Sequence, residues 1–479
     1  MKLLPPKLLS LARTCSVLVL IVAGGRVPAA RAADTNAPPW LNRPLSLEDC
    51  LNLALQQNGD VRRSQKEVEA ALGVVIQTRA IVLPKLRAAG GYDVTADSAV
   101  ERLAAPPLPG LPSGLNLVNP DNQHWNASVR LVQSVFEGGR MMSSLRTARL
   151  TREEALAQHQ TVLANVATDV RTAFYDVLLA QQEIQVREAS VKLLERELED
   201  TQRRFKAGTV PQFNVLRAEV ELANARPDVS RAKNAYRIAK NVLVDRLGCR
   251  VPRDIWEDIP LELNGSLDVE PLNLEVPAAI KLALERRPEL VALRKAEVLR
   301  KEGVVNARGG YLPSVQTYVG YGSRSPNYER DITHDISGWE AGVQMSWDIF
   351  DGALTRGKVA QARAQWEASQ IDTDNTARNI ELEVRTAYST LEEAGEVLDS
   401  QQKVLEQAEE ALRLARARAE AGTGTQLDLL GAQTALTDAR TTQVRARHAY
   451  ATARARLERA IGAYTPELAG NGDWGNIPR

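Results

Sequence analysis

The side chains best suited to metal binding or acid–base catalysis are scarce in this sequence. Its four histidines are scattered, and none stands at the spacing of a metal-binding cluster. They are His124, His159, His334 and His448. The sequence has no phosphate-binding loop, no nucleophile elbow and no closely spaced cysteine pair. We therefore expect no catalytic residue, no metal site and no cofactor, and we do not expect an enzyme.

The cysteines allow one further possibility. Cys15 lies in an N-terminal segment that we expect to be removed, which leaves Cys50 and Cys249. These two thiols could form a disulfide in an oxidising compartment, but a single pair is not a disulfide framework. A disulfide and two unpaired structural thiols therefore both stay open.

The N-terminus has the features of a secretory signal peptide, residues 1–33. A basic segment ending at Arg13 precedes a short apolar core, Cys15–Gly24, and the small-x-small sequence Ala30-Arg31-Ala32 follows. The core is about half as long as the roughly 20 residues that a spanning helix needs. We therefore expect cleavage and secretion, not a membrane anchor.

The mature chain is close to neutral and has no long apolar segment. Removing a leader with five basic and no acidic residues leaves 55 Lys and Arg against 60 Asp and Glu, a net charge of about −5. This balance argues against nucleic acid as a partner. Since no remaining segment approaches 18 apolar residues, entry into a membrane would require a β-barrel.

Self-comparison shows two copies of one unit. Leu83-Pro84 recurs 229 residues later as Leu312-Pro313, and Ala207-Gly-Thr209 recurs 214 residues later as Ala421-Gly-Thr423. The offset changes once, at a Pro- and Gly-rich loop in the first copy. The predicted organisation is a signal peptide at 1–33, a first repeat at 34–248, a linker at 249–273, a second repeat at 274–463 and a C-terminal tail at 464–479.

Each copy contains two segments in which apolar and polar residues alternate. Trp339 and Val343 fall on one phase, and Glu340 and Gln344 fall on the other, which is typical of a β-strand. A length of about 10 residues suits a strand that crosses a membrane. We predict strands at about 86–97, 123–135, 314–323 and 338–349. The predicted lipid-facing residues are Trp125, Val129, Leu131, Trp339, Val343, Met345 and Trp347.

A long helical hairpin is predicted after each strand pair, at about 140–247 and 354–461. Apolar residues such as Val170, Val177 and Ile184 recur every seven residues, a period that imposes a left-handed coiled coil. The apolar stripe is two rows wide, narrower than a globular bundle requires. Such helices suit the wall of a hollow cylinder.

Four strands cannot close a barrel alone. The smallest single-chain barrels have about eight strands, and lipid does not tolerate open sheet edges. Copies of the same chain must therefore complete the sheet, and symmetry favours a ring. Strand counting by itself permits eight, twelve or sixteen strands.

Together these features resemble the TolC-type outer-membrane efflux protein family over nearly the whole mature chain. The resemblance rests on the paired copies, the Leu-Pro strand entries, the strand exits Phe136-Glu-Gly-Gly139 and Phe350-Asp-Gly352, and the tip sequence at 421–430. It implies an α+β membrane protein, a homotrimer with a 12-stranded transmembrane β-barrel continued by a long periplasmic α-helical coiled-coil tunnel. It also implies outer-membrane lipid around the barrel, a periplasmic adaptor protein, an inner-membrane pump and a Gram-negative outer membrane.

The resemblance further assigns the helix-to-helix turns and one carboxylate. In the family such turns border the grooves that receive the adaptor, and here they comprise Gly208, Thr209, Val210, Pro211, Gly422, Thr423, Gly424 and Thr425. Asp428 matches an acidic gate position, although it could serve only as a helix N-terminal carboxylate. The family's gate Tyr and Arg correspond to Ala419 and Gly424, and its second Asp corresponds to Gly431. The locking bonds of the family are therefore expected to be absent.

A secreted soluble coiled-coil scaffold is the alternative from another class. It explains the seven-residue period but not the alternating strands inside each repeat. For the channel, small-molecule efflux and type I protein secretion both stay open, as does the class of pump, because the pump selects the substrate.

Overall fold

A computed structural model describes residue 40 and residues 43–96, 122–251, 258–272, 274–326 and 335–463. Apart from Trp40 and Arg43, these residues belong to one compact unit, Pro44–Arg479. The predicted signal peptide, the predicted C-terminal tail and His334 lie outside the described residues.

Each repeat opens with two short helices separated by a break. The first repeat has α1, Leu47–Gln57, and α2, Gly59–Arg79. The second has the equivalent helices, numbered in chain order as α5, Val276–Arg286, and α6, Pro288–Arg308. The break at residue 287 has a local cause, because a residue that precedes proline is disfavoured in the α conformation.

Four long helices dominate the molecule. They are α3, Arg140–Lys206; α4, Gln212–Leu247; α7, Leu354–Glu420; and α8, Gln426–Ala460. The 67 residues of α3, and the 67 of α7, correspond to about 100 Å at 1.5 Å per residue. Helix α3 packs against α4 and α8, and α8 packs against α7, so the helices form a row with α4 and α7 at its ends.

The seven-residue period marks the seams of this row. Val170, Val177 and Val384 are fully buried, as expected for seam positions of a coiled coil. A separate cluster near the hairpin tips contains Leu412, Leu429 and Leu436, with Leu193 of α3 packed against it. None of the helices in the described part of the chain is long and apolar enough to cross a membrane.

The chain has four strands, namely β1, Lys85–Val94; β2, Gln123–Glu137; β3, Ser314–Arg324; and β4, Ile336–Ser346. They form one antiparallel sheet in the order β1-β2-β3-β4. Strand β1 ends before the predicted residue 97. Because β1 and β4 are edge strands, each leaves one row of backbone groups without a partner in this chain.

The last strand ends earlier than its alternation predicts. The alternation predicts a strand that reaches about residue 349, but β4 ends at Ser346. Continuing the pairing would place Trp347 opposite Pro313, which has no N–H to donate. The Trp347 indole Nε1 instead donates to the Tyr311 carbonyl at 3.2 Å. The assignment of Trp347 to the strand is therefore wrong.

The segment that follows the first repeat is fastened to that repeat. Leu263 forms a parallel bridge with Leu45. Lys240 is 3% exposed, and its Nζ donates to the Ile259 carbonyl at 2.8 Å and pairs with Asp258. Residues 258–272 of the predicted linker therefore include a packed portion.

Candidate functional site

The first hairpin reverses direction at residues 208–211. Gly208 has φ +72°, a left-handed conformation that glycine adopts without a Cβ penalty. The backbone N and the Oγ1 of Thr209 each donate to the Arg204 carbonyl at 2.9 Å, which satisfies a terminal carbonyl of α3. Val210 continues the turn, and Pro211 is the N-cap of α4 without a side-chain capping bond.

The second hairpin reverses with the same backbone. Gly422 has φ +73°, and the backbone N atoms of Thr423 and Gly424 both donate to the Arg418 carbonyl at 3.0 Å. Thr425 is the N-cap of α8. The predicted tip residues are therefore two matching turns, and most of their side chains are exposed.

Asp428 is part of a capping box. Its Oδ2 accepts from the Thr425 hydroxyl at 2.7 Å and from the Thr425 backbone N at 3.1 Å, while its own N donates back to the Thr425 hydroxyl at 3.2 Å. These bonds, with a smaller contribution from Arg418, lower the pKa of the exposed carboxyl. The carboxylate therefore carries its charge at neutral pH and also caps α8.

A glutamine near this cap joins the two hairpins. The Gln426 Nε2 donates to the Thr201 Oγ1 at 3.0 Å and to the Asn214 carbonyl at 3.4 Å. The Thr201 hydroxyl in turn donates to Glu197 at 3.4 Å. Burial raises the pKa of the Glu197 carboxyl, and Asp200 acts in the same direction. No sequence pattern pointed to Gln426, because its role depends on how two hairpins lie against each other.

An open groove of about 490 Å³ lies between the two tips. Its lining includes Val210 and Gly424, one residue from each tip, and the charged side chains of Glu197, Arg204 and Arg217. The groove therefore offers a partner both backbone turns and charges of either sign.

The apolar-phase residues of the strands lie on one face of the sheet. Directly opposed residues of neighbouring strands share a face, and Tyr321 opposes both Val129 and Trp339. Trp339 is 78% exposed and Val343 is 71% exposed. The predicted residues on this face are Trp125, Val129, Leu131, Trp339, Val343 and Met345. A continuous apolar face of this kind indicates contact with lipid or another protein surface.

The opposite face carries a polar cluster that the sequence did not reveal. Arg130 of β2 forms an ion pair with Glu340 of β4 and lies 5.9 Å from the Tyr318 ring centre. Glycines make room for both long side chains. A Cβ on Gly320 would lie 2.7 Å from the Arg130 Cγ, and a Cβ on Gly342 would lie 2.7 Å from the Tyr318 hydroxyl. Arg130 and Tyr318 therefore lie flat along the sheet.

The described histidines and cysteines do not form a site. His448 and His159 each contact one polar side chain on another helix, Asp176 at 2.6 Å and Ser64 at 2.8 Å respectively. Among the described residues, no group of three potential metal ligands occurs. The two thiols are free and buried, and burial raises the pKa of Cys50 to about 12.

The sequence model of a protein family, described as outer membrane efflux protein, matches residues 50–248 and 279–463 of this chain, one range in each repeat. These ranges cover most of the chain. The chain belongs to the outer membrane efflux protein family.

Individual relatives match this chain over most of its length. It is 25% identical over 422 residues to the alkaline protease secretion protein AprF of Pseudomonas aeruginosa. The matched region covers 86% of this chain and 83% of AprF. It is 23% identical over 439 residues to the outer membrane protein TolC of Escherichia coli, covering 88% of this chain and 83% of TolC.

Solved channel structures share its fold. CusC matches with a TM-score of 0.72 at 17% identity, covering 90% of this chain and 99% of that chain. The CmeC outer membrane channel of Campylobacter jejuni matches with a TM-score of 0.72 at 15% identity, covering 87% and 85%. The predicted fold class, with four strands per chain and a long helical tunnel, is confirmed.

The family member is thus an outer-membrane channel of Gram-negative cells that serves efflux or secretion. The family is a channel family and not an enzyme family. The findings support this function over the soluble coiled-coil scaffold.

Proposed function

We propose that three copies of this chain form the passive exit duct of a tripartite efflux or type I secretion system. The sheet lies in outer-membrane lipid, and the hairpin tips dock to a periplasmic adaptor that is coupled to an inner-membrane pump. Family channels work with adaptor and pump partners, and the assignment of particular surfaces of this chain to them is part of the proposal.

The β-sheet has two features that favour closure into a barrel by other copies of the chain. It has one apolar face, with Val343 and Trp339 largely exposed, and its edge strands β1 and β4 have no partner within the chain. Exposed apolar surface and open edges are both unfavourable in water, and open edges are also unfavourable in lipid. Closing the sheet with two more copies removes both edges.

Native mass spectrometry in detergent tests this closure directly. The expected mass is about three times that of the mature chain, since the leader is removed before assembly. A monomer that keeps its full β-sheet signal in detergent would contradict the proposed closure.

The direction of the apolar face can be tested with two neighbouring residues. Val343→Arg would place a charge in lipid and is expected to cost about 2–4 kcal/mol near the midplane. Gln344→Arg adds the same side chain on the opposite face and should have little effect. Unfolding in detergent or lipid gives both free energies, and equal losses would show that the facing is wrong.

The tips have the geometry expected of a docking surface. Gly208 and Gly422 are exposed, and a Cβ built on either one meets no other atom within 4 Å. A substituent there projects outward, beside the groove between the tips. Gly422→Trp and Gly208→Trp should therefore abolish export while trimers still reach the outer membrane.

Alanine provides the matched control for this experiment. Both glycines have positive φ, so any side chain strains the turn, but Gly422→Ala adds that strain without bulk. Export should survive Gly422→Ala and fail with Gly422→Trp. If export survives tryptophan at both Gly208 and Gly422, the turns are not the docking site.

The cargo is not distinguished by the relatives. AprF is named for protease secretion, and CzcC of Cupriavidus metallidurans, 26% identical over 403 residues, is named for cobalt, zinc and cadmium resistance. Cross-linking from the tips in intact cells would identify the adaptor and pump, and the class of pump would then separate efflux from protein secretion.

A further inference from the structure

We propose that the polar face of the sheet carries a basic belt, formed by Lys85, Arg87 and Arg130, that binds multivalent anions inside the barrel. This inference rests on the proposed channel function, because closing the sheet with its apolar face in lipid turns the polar face towards the lumen. The ligand class is a small anion with several charges, such as one that carries phosphate groups, met within the exit duct.

The strand register brings the three basic side chains together. Arg87 of β1 lies directly opposite Arg130 of β2, and directly opposed residues have Cβ atoms about 4.5–5.5 Å apart. Lys85 precedes Arg87 by two residues, so it lies on the same face at a distance of about 6.8 Å along the strand. All three residues are exposed. They therefore form one patch across two neighbouring strands.

One acid neutralises part of this charge. Glu340 of β4 lies in the same row across the sheet as Arg130, and the two side chains form an ion pair. Among the described residues, neither Lys85 nor Arg87 has an ion-pair partner. The belt therefore keeps a net charge of +2 per chain, and three copies would carry three times that charge.

Closure with other copies brings no further acid to this level of the sheet. In a closed ring β1 meets β4 of a neighbouring copy, and Glu340 is the only acidic residue within β4. Asp93 and Glu137 lie towards opposite ends of the sheet, and the Glu137 carboxylate accepts from the Ser134 hydroxyl at 2.6 Å. Asp348 follows the end of β4 by two residues and lies outside the sheet. The positive charge is therefore a property of the sheet itself.

The arrangement is unfavourable without a ligand. Like charges that are directly opposed on neighbouring strands destabilise a sheet, and Arg87 and Arg130 are such a pair. The sheet nevertheless makes room for Arg130, since Gly320 lies against its side chain and the Tyr318 ring centre is 5.9 Å from its guanidinium. A phosphate-bearing anion would remove the repulsion, because guanidinium groups form bidentate, charge-assisted hydrogen bonds with phosphate oxygens. In an exit duct such a belt favours anionic cargo.

The same face contains an isolated base that serves as a matched control. Arg324 of β3 opposes Asn126 and Ile336, so it has no basic residue opposite it on either neighbouring strand. Like Arg87, it is exposed. Arg87→Gln and Arg324→Gln each remove one positive charge from the polar face, but only the first changes the belt.

Titration calorimetry of purified trimers in non-ionic detergent tests the belt, with sodium triphosphate as the probe. The wild type should bind triphosphate, and Arg87→Gln should weaken its affinity about tenfold, as expected when hydrogen bonds between charged groups are lost. Lys85→Gln should weaken the affinity by a smaller factor, and Arg324→Gln should leave it unchanged. Raising the salt concentration should weaken wild-type binding.

A phospholipid competitor tests which side of the sheet the belt faces. Phosphatidylglycerol added to the micelles should not displace triphosphate, because the proposed lipid-facing side is the opposite face of the sheet. Displacement would show that the belt binds lipid headgroups, and it would overturn a site in the lumen.

The outcomes separate the belt from the channel function. A loss of affinity in Arg87→Gln but not in Arg324→Gln supports the belt. Absence of binding by the wild type, or equal losses in these two variants, overturns it. Should Arg87→Gln not assemble, Lys85→Gln is compared with Arg324→Gln in its place. Conductance and export by the wild-type trimer are measured without triphosphate, and if both are absent the proposed function fails whatever the calorimetry shows.

Discussion

The two hairpin tips have the same backbone and different chemistry. Each turns at a left-handed glycine, Gly208 with φ +72° and Gly422 with φ +73°. The first tip then begins its returning helix at Pro211 without a side-chain cap, whereas the second begins at Thr425 with a full capping box. The repeat thus preserves the residue that fixes the turn and allows the residues that cap the next helix to differ.

The returning helices also present different surfaces. On α4, Phe213, Leu216 and Val220 are 67%, 52% and 57% exposed. On α8, Leu427 is exposed but Leu430 is 5% exposed. Since α4 ends the row of helices and α8 lies inside it, the same position in the repeat has a different neighbour in each copy.

The largest expected difference between the copies is at the far ends of the returning helices. Gly248 and Gly462 both have positive φ, but a Cβ on Gly248 would lie 2.6 Å from the backbone at Asn58, and one on Gly462 would lie 3.3 Å from Arg286. Gly462→Ala should cost about 1–2 kcal/mol for its backbone conformation alone. Gly248→Ala should cost about 1–3 kcal/mol more, because backbone atoms must move.

Chemical unfolding of the two variants in the same detergent measures this difference. A matched pair is available, since the substitution and the φ value are nearly the same at both sites. Equal losses of unfolding free energy would mean that the close approach at Gly248 relaxes without cost.

A second contrast concerns the breaks between the short helices. Asn58 caps α2 by accepting from the Asp60 backbone N at 2.8 Å, whereas Arg287 is 2% exposed and forms ion pairs with Glu289 and Glu383. Asn58→Ala should cost about 1 kcal/mol, the usual loss of a helix cap. Arg287→Met should cost about 2 kcal/mol, less than a fully buried pair, because Glu383 is half exposed.

The controls for this contrast use the same positions. Asn58→Asp keeps the capping acceptor but loses the bond that the Asn58 Nδ2 donates to the Arg246 carbonyl at 2.7 Å, so it should recover only part of the lost unfolding free energy. Replacing Glu383 with Gln in the Arg287→Met background should add little, because the pair is already broken. A larger loss for Asn58→Ala than for Arg287→Met would contradict the proposed ranking.

Local patterns predicted the phase of the strands, and the register shows that apolar-phase residues such as Val129 and Trp339 share one face. The predicted end of the last strand was wrong at Trp347 because it depends on Pro313, the residue that precedes the neighbouring strand β3. Neither the Arg130–Glu340 pair nor the Gln426 contact was predicted, and the reason is again a dependence on a distant part of the chain. Each joins residues more than 200 positions apart, and no periodicity within one element records that pairing.

The smallest expected effect concerns charge at the tips, where Asp428 in the second copy corresponds to Asn214 in the first. If Asp428 faces the channel axis in the trimer, three carboxylates lie near the entrance and favour cations. Asp428→Asn makes the second tip like the first, keeps a capping oxygen and should weaken cation selectivity and block by multivalent cations from the periplasmic side. Asp428→Glu keeps both charge and cap and should conduct like the wild type.

The pH dependence of selectivity separates the gate from the cap. Because bonds from Thr425 lower the pKa of Asp428 from its ordinary value, cation selectivity should persist to a lower pH than an unperturbed aspartate would allow. The stability that the cap contributes changes with pH in the same direction. Because the carboxyl has a lower pKa in the folded state than in the unfolded state, this contribution is fully present above the unfolded-state pKa. It is lost as the pH falls through the folded-state pKa. Thr425→Val removes the hydroxyl donor, so the charge should titrate at higher pH and selectivity should be lost earlier during acidification. Reversal potentials measured across a salt gradient at each pH give the titration directly. If Asp428→Asn leaves both selectivity and multivalent block unchanged while helix stability alone responds to acid, Asp428 is a capping residue and not part of the gate.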